Sequence, residues 1–177
     1  MPIQPPRPVL ERILLFGGPG SGKSFAWLQI AKLHHQTGSD AKFYVLDTDA
    51  AIDRMLCDEK FSSLTNVIPL PTYEWPDYTR NLDQALSQVR SHDWLICDLA
   101  CNSWEAVQSY YTESVFGKES EAFFLEHRKK LVGKTGLKQD DFNPLDGWKD
   151  WSFIKKLMRA FETKLTLRPR CHILCCN

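Results

Sequence analysis

The sequence predicts an α/β domain whose mainly parallel sheet is flanked by helices on both faces. Short apolar runs, typical of strands buried on both faces, alternate along the 177 residues with segments of helical periodicity. A glycine-rich turn joins the first of these runs to the first helical segment. A content of 43% hydrophobic and 25% charged residues suits one globular domain. Strands that alternate with helices favour parallel pairing, because a parallel connection leaves room for a crossover helix.

The first half of the chain begins with an arm and continues with three strands and three helices. Residues 1–10 are expected to be a flexible arm, because four prolines in residues 1–9 prevent helix formation, and residues 11–177 form the domain. Strands are expected at residues 13–16, 43–46 and 66–70, and helices at residues 23–35, 50–60 and 76–90. The apolar residues expected on one face of the first helix are Phe25, Leu28, Ala31 and Leu33.

The second half of the chain is predicted to contain two more strands, two more helices and one long insertion. The strands are expected at residues 94–98 and 172–176, and the helices at residues 103–116 and 148–164. Asn102 and Glu105 predict a capping box at the start of helix 103–116. Residues 117–147 lose helical periodicity and contain several glycines, so we expect a mobile insertion with one short helix.

The glycine-rich turn, residues 17–24, carries the strongest chemical signal. It matches GxxxxGK[ST] and lies between a predicted strand and a predicted helix, as a phosphate-binding P-loop requires. Glycines let backbone N–H groups converge on a phosphate, and the helix N-terminus adds partial positive charge. Lys23 can reach the β- and γ-phosphates, and the Ser24 hydroxyl is placed to ligate Mg²⁺. The residues expected to bind ATP are Gly17, Gly18, Pro19, Gly20, Ser21, Gly22, Lys23, Ser24 and Phe25.

Asp98 ends the apolar run at residues 94–98. In P-loop enzymes an acid at the end of a strand holds Mg²⁺, so Asp98 and Ser24 are the candidate metal residues. A helix cap or a turn residue is the alternative interpretation of Asp98.

Three segments resemble RecA-family ATPases. Residues 45–53 resemble the segment in which a strand ends in Asp-x-Glu, and Asp49 falls on the glutamate that polarises the attacking water. Residues 95–98 resemble the Walker B strand. Residues 171–177 resemble the following strand, which places Asn177 at or beside the polar residue that senses the γ-phosphate.

The resemblance extends to phage-encoded RecA-like NTPases, through the Trp-containing segment 104–108 and the Gly-Trp-x-Asp-Trp pattern at 147–151. It implies a three-layer P-loop NTPase of RecA-like (ASCE) topology, with Lys23, Asp49 and Asp98 as catalytic residues. The implied activity is Mg²⁺-dependent ATP hydrolysis coupled to DNA recombination or replication. The Asp49 side chain is one methylene shorter than the family's glutamate. This implies either that hydrolysis is inefficient or that Asp47 activates the water instead.

The family's strand order implies a domain that is truncated at its C-terminus. In that order strand 172–176 lies between strands 13–16 and 94–98, and further strands cover the far side of strand 13–16. Because the sequence stops at the sensor strand, residues 13–16 should form an uncovered apolar edge.

Residues 117–147 fall where RecA relatives carry a DNA-contacting loop. Their basic residues, Lys118, Arg128, Lys129, Lys130, Lys134 and Lys138, occur with Phe123 and Phe124. Basic and aromatic residues together suit single-stranded DNA, but interleaved acids leave a solvated insertion as an equal alternative. The same cations could complete the site of a neighbouring subunit in a homo-oligomer.

Two rival functions share the phosphate loop: a small-molecule or nucleotide kinase, and a non-hydrolysing nucleotide switch in a phage assembly. A GTPase is disfavoured because the chain lacks an Asn-Lys-x-Asp motif. Lysine plus arginine and aspartate plus glutamate number 22 each, so a general affinity for polyanions is not expected. Without an apolar membrane span, a cytoplasmic location is expected. Cys97, Cys171, Cys175 and Cys176 lie in or beside apolar runs and are expected to act as small hydrophobes.

Overall fold

Five parallel strands form the sheet in a computed structural model that describes residues 9–132 and 149–177. The strands are β1 (Arg12–Leu15), β2 (Phe43–Asp47), β3 (Val67–Pro71), β4 (Trp94–Asp98) and β5 (His172–Cys176). The helices are α1 (Lys23–Gln36), α2 (Ile52–Leu56), α3 (Trp75–Gln88), α4 (Asn102–Phe116), α5 (Ser120–Val132) and α6 (Lys149–Leu167). The predicted α/β class and parallel sheet are confirmed.

Two apolar clusters form on opposite faces of the sheet, because successive side chains of a strand point to opposite faces. In β2, Tyr44 and Leu46 pack in one cluster with buried residues of α3, α4 and α6. Phe43 and Val45 pack in the other with residues of α1 and α2. The sheet is thus the middle of three layers.

The strand order is β1-β5-β4-β2-β3. As expected, β5 lies between β1 and β4, and β1 pairs with one strand among the described residues. The prediction that residues 13–16 are buried on both faces is wrong: Leu14 is 66% exposed and Phe16 is 81% exposed. Their exposure agrees with the separate expectation of an uncovered apolar edge.

Three of the helical predictions need correction at α1, α2 and α6. Helix α1 buries Leu28 and Ala31 of the predicted face together with Trp27, but Phe25 and Leu33 are exposed. Helix α2 is shorter than the predicted 50–60, and α6 extends beyond residue 164 to Leu167.

The predicted capping box at α4 does not form. Cys101 is the N-cap, and no side chain caps it. Asn102 instead donates from Nδ2 to Thr48 Oγ1 at 2.9 Å. A capping box forms at α3, where Glu74 and Asp77 bond each other's backbone N–H groups.

The predicted insertion contains a longer helix than expected. Helix α5 occupies 13 residues and packs on α4, with the rings of Phe116 and Phe123 stacked at 4.5 Å. Residues 133–147 of the insertion, together with Trp148 and the arm up to residue 8, lie outside the described residues.

The cysteines behave largely as expected. Cys97, Cys171 and Cys176 are buried free thiols, and Cys175 is partly buried. Within residues 9–132 and 149–177, no helix has the length and apolar character needed to cross a membrane.

Candidate functional site

The glycine-rich turn connects the end of β1 to the start of α1, so it lies at the carboxyl edge of the parallel sheet. Gly20 and Gly22 have φ angles of 74° and 91°, a left-handed region that glycine adopts at little cost. A Cβ on Gly17 would lie 2.6 Å from the Ser21 hydroxyl oxygen. The bend therefore favours glycine at residues 20 and 22, whereas a Cβ at residue 17 would require the Ser21 side chain to move.

The turn borders an open pocket of about 440 Å³. The lining residues are Gly17, Pro19, Gly20, Ser21, Gly22, Lys23, Ser24, Phe25, Asp49, Met55, Leu99, Cys101 and Asn177. The structure therefore brings together the predicted phosphate-loop residues with Phe25, Asp49 and Asn177. Gly18 and Asp98 do not line the pocket. Leu99, the residue directly after Asp98, does line it. Carboxyl edges of parallel sheets are the usual place for ligands in this class of fold.

Lys23 lies against the turn. Its Nζ donates to the carbonyl oxygen of Gly17 at 2.5 Å and to that of Gly18 at 3.2 Å. The ammonium group is therefore already held over the loop that is expected to bind phosphate.

Asn177 is placed at the pocket by its backbone. Its N–H donates to the Leu15 carbonyl at 2.8 Å, and its own carbonyl accepts from the Gly17 N–H at 3.1 Å. These two bonds continue the pairing of β5 with β1 up to the start of the glycine turn, so β5 fixes where the turn begins.

Asp98 is fully buried at the end of β4. Its Oδ2 accepts a hydrogen bond from Trp27 Nε1 at 2.9 Å, and its Oδ1 has no partner among the described residues. Burial, followed by the nearby charge of Asp98, raises the pKa of the Cys176 thiol, which therefore stays neutral beside the carboxylate. The sequence prediction missed Trp27, although its position three residues after Ser24 places both residues on one face of α1.

Thr48 links the ends of β2 and β4 and was also missed. Its N–H donates to the Asp98 carbonyl at 2.8 Å. Its hydroxyl donates to the Leu99 carbonyl at 3.1 Å and accepts from the Leu99 N–H at 2.7 Å. Asn102 Nδ2 donates to the same hydroxyl. The segment that carries Asp49 is thereby joined to the segment that follows Asp98.

The two acids after β2 have different surroundings. Asp49 is exposed and lines the pocket. Asp47 is 2% exposed and lies opposite Asp98 in the register of β2 and β4. Burial raises the pKa of Asp47 to about 6, with a further contribution from the charge of Asp49, against hydrogen bonds from the N–H groups of Ile52 and Ala51. Asp49 is therefore the acid that a ligand in this pocket would meet.

The donor set suits a hard cation that arrives with a nucleotide. Ser24 supplies a hydroxyl on the pocket wall, and Asp98 supplies a buried carboxylate oxygen without a partner among the described residues. Mg²⁺ is commonly held by one or two carboxylates together with substrate phosphates. Within the described part of the chain, no group of three or more His, Cys, Asp or Glu side chains could hold a metal alone. By the chemistry of their oxygens, Ser24 and Asp98 are the candidate ligands for such an ion.

Comparisons of the chain with protein-family models, curated proteins and solved structures give no significant match. The function must therefore be inferred from the geometry around the pocket.

Proposed function

We propose that this protein is a Mg²⁺-dependent ATPase of the RecA-like branch of P-loop NTPases. The observation that carries the proposal is the glycine turn that opens onto a pocket at the carboxyl edge of the sheet, with Lys23, Ser24 and Asp49 on its wall. A pocket of about 440 Å³ is within the usual size for small-molecule sites.

The residues have distinct roles in this proposal. Backbone N–H groups of the turn and the N-terminus of α1 bind the phosphates, and Lys23 exchanges its bonds to the Gly17 and Gly18 carbonyls for phosphate oxygens. Ser24 and Asp98 would hold Mg²⁺, whose charge would offset that of the phosphates when the ion is bound. Asp49 orients the attacking water and accepts its proton.

The strand order supports the RecA-like assignment within P-loop proteins. Because β5 lies between β1 and β4, Asn177 reaches the pocket beside the glycine turn. The proposal assigns Asn177 the recognition of the γ-phosphate. Asp49 rather than Asp47 is favoured as the residue that activates water, since only Asp49 of the two lines the pocket.

Coupling to single-stranded DNA is the part of the proposal that depends on residues 117–147. In the described portion, Lys118 forms an ion pair with Glu126, and Lys129 is exposed on α5. Lys134 and Lys138 lie outside the described residues. A homo-oligomer in which such cations reach a neighbouring site would hydrolyse ATP faster than a monomer.

The direct test compares wild type and Lys23→Ala for ATP binding and for phosphate release, with and without single-stranded DNA. We expect Lys23→Ala to lower turnover by about 100- to 1,000-fold, because a cation aimed at the transferring phosphate is lost. An unchanged circular dichroism spectrum and melting temperature would control for folding. Unchanged binding and hydrolysis in Lys23→Ala would contradict the proposal.

A second variant, Asp49→Asn, separates hydrolysis from binding. We expect ATP affinity to persist and phosphate release to fall by about 100-fold or more, since the general base is lost. Asp53→Asn, a nearby acid that does not line the pocket, is the matched control. Turnover that survives in Asp49→Asn would remove this residue from the mechanism. The alternative function is a non-hydrolysing nucleotide switch, and the short Asp49 side chain is the observation that supports it. Wild-type protein that binds ATP but releases no phosphate would favour this alternative.

A further inference from the structure

A direct side-chain contact joins the phosphate-loop helix to the acid at the end of β4. Trp27 and Asp98 are both fully buried, and the indole Nε1–H donates to Asp98 Oδ2 at 2.9 Å. Trp27 follows Ser24 by three residues on α1, so the helix that presents the Ser24 hydroxyl also presents this N–H group. One rigid element therefore carries both a candidate metal ligand and the donor that contacts the other candidate ligand.

The contact determines which oxygen of Asp98 stays available. A hydrogen bond to a carboxylate is stronger than one between neutral groups, and it fixes the rotation of the carboxylate plane. Oδ2 is engaged by Trp27, whereas Oδ1 is buried without a partner among the described residues. A buried acceptor without a partner is costly, and a metal ion or its bound water would relieve that cost.

We propose that Trp27 is a positioning residue of the magnesium site, which holds Asp98 Oδ2 so that Oδ1 remains free for the metal or its water shell. The proposal rests on the function proposed above. Trp27 acts through Asp98 and does not line the nucleotide pocket. It is expected to affect the contribution of Mg²⁺ to nucleotide binding, and not the contact of the glycine turn with phosphate.

A purely structural role for Trp27 predicts a loss of stability on substitution without a specific loss of the Mg²⁺ contribution to binding. Its ring belongs to the apolar cluster between α1 and the sheet, so truncation would reduce stability whatever the N–H group does. Trp94 provides a matched control, because it is buried in the same cluster and its Nε1 has no hydrogen-bond partner among the described residues. Trp27→Phe and Trp94→Phe remove equivalent atoms, but only the first removes a bond to Asp98.

The experiment measures the dissociation constant of radiolabelled ATP by equilibrium dialysis, in EDTA and in excess Mg²⁺, for wild type and both variants. In Trp27→Phe we expect affinity for metal-free ATP to stay within about twofold of wild type, because the glycine turn is intact. The gain in affinity on adding Mg²⁺ should fall by about 10- to 100-fold, as is typical when a group that orients a metal ligand is removed. In Trp94→Phe the gain should match wild type.

A double-mutant cycle tests whether Trp27 acts through Asp98. Asp98→Asn should itself lower the Mg²⁺ gain, and adding Trp27→Phe to it should have little further effect, since coupled residues are not additive. Additive losses, or equal Mg²⁺ gains in Trp27→Phe and wild type, would overturn the proposal.

Two further outcomes of the ATP-binding experiment also decide the proposal. Wild type that binds no ATP under any condition would overturn the proposed function and this inference together. If Trp27→Phe does not fold, 3-benzothienylalanine at position 27 replaces the N–H by sulfur with nearly the same shape. Loss of the Mg²⁺ gain in that protein supports the positioning role, and a normal gain refutes it.

Discussion

Asp47 is a carboxylate that the fold buries at a position where its charge is unfavourable. It is 2% exposed, and the Asp49 carboxylate two residues later adds a repulsive charge. The hydrogen bond from the Ala51 N–H, at 3.3 Å, offsets only part of this cost. The pKa of Asp47 therefore rises from 3.8 to about 6.

This pKa gives a testable dependence of stability on pH. Because the folded protein binds the proton more tightly than the unfolded chain, the contribution of Asp47 to stability is greatest below pH 4 and is lost as the pH rises to about 6. At 1.36 kcal/mol per pKa unit, ionisation of Asp47 costs up to about 3 kcal/mol at pH 7. Asp47→Asn keeps an acceptor for Ala51 and removes the charge.

Urea denaturation of wild type and Asp47→Asn, without nucleotide or metal, measures the effect. The variant should be more stable than wild type at pH 8 by up to about 3 kcal/mol, and the difference should shrink towards pH 4. A difference that is the same at both pH values would mean that the charge of Asp47 is not responsible.

At the scale of single elements, β1 is the exposed strand of the sheet. Leu14 is 66% exposed beside a groove that is also lined by Phe161 and Leu165 of α6. An edge strand with apolar side chains and unpaired backbone groups favours association with other chains. The described residues leave this edge uncovered.

We therefore expect concentration-dependent self-association of the protein to decrease in Leu14→Lys, because a charge on an edge strand opposes pairing. Leu33→Lys is the matched control, since Leu33 is 60% exposed but lies on a helix rather than on a strand. Sedimentation velocity over a range of protein concentrations would measure both variants. Equal effects of the two substitutions would show that exposure of a leucine, rather than the strand edge, drives association.

Element prediction succeeded where a local signal was strong. The apolar runs predicted β2, β4 and β5 nearly to the residue, because strands buried on both faces have few polar positions. Helix α5 was underestimated, since it contacts α4 through the stacked rings of Phe123 and Phe116 and the described residues of α5 are only partly buried or exposed. The cap of α4 was wrong because Asn102 bonds to Thr48, 54 residues earlier.

Across the whole molecule, the sequence indicated the glycine turn and its neighbours but not the links between strand ends. Lys23, Ser24 and Asp49 were predicted from motifs that are contiguous in sequence. The bond from Trp27 to Asp98 joins residues 71 positions apart, and that from Thr48 to Leu99 joins residues 51 positions apart. Such bonds follow from the order of strands in the sheet, which no local pattern encodes.

The position of β5 between β1 and β4 has a consequence for synthesis of the chain. Among the described residues β1 reaches β4 only through β5, and the backbone of Asn177 fixes the start of the glycine turn. While a ribosome still covers residues 172–177, the first strand has no partner and the turn has no anchor. Residues 172–177 must therefore leave the ribosome before the nascent protein can gain any stability from ATP.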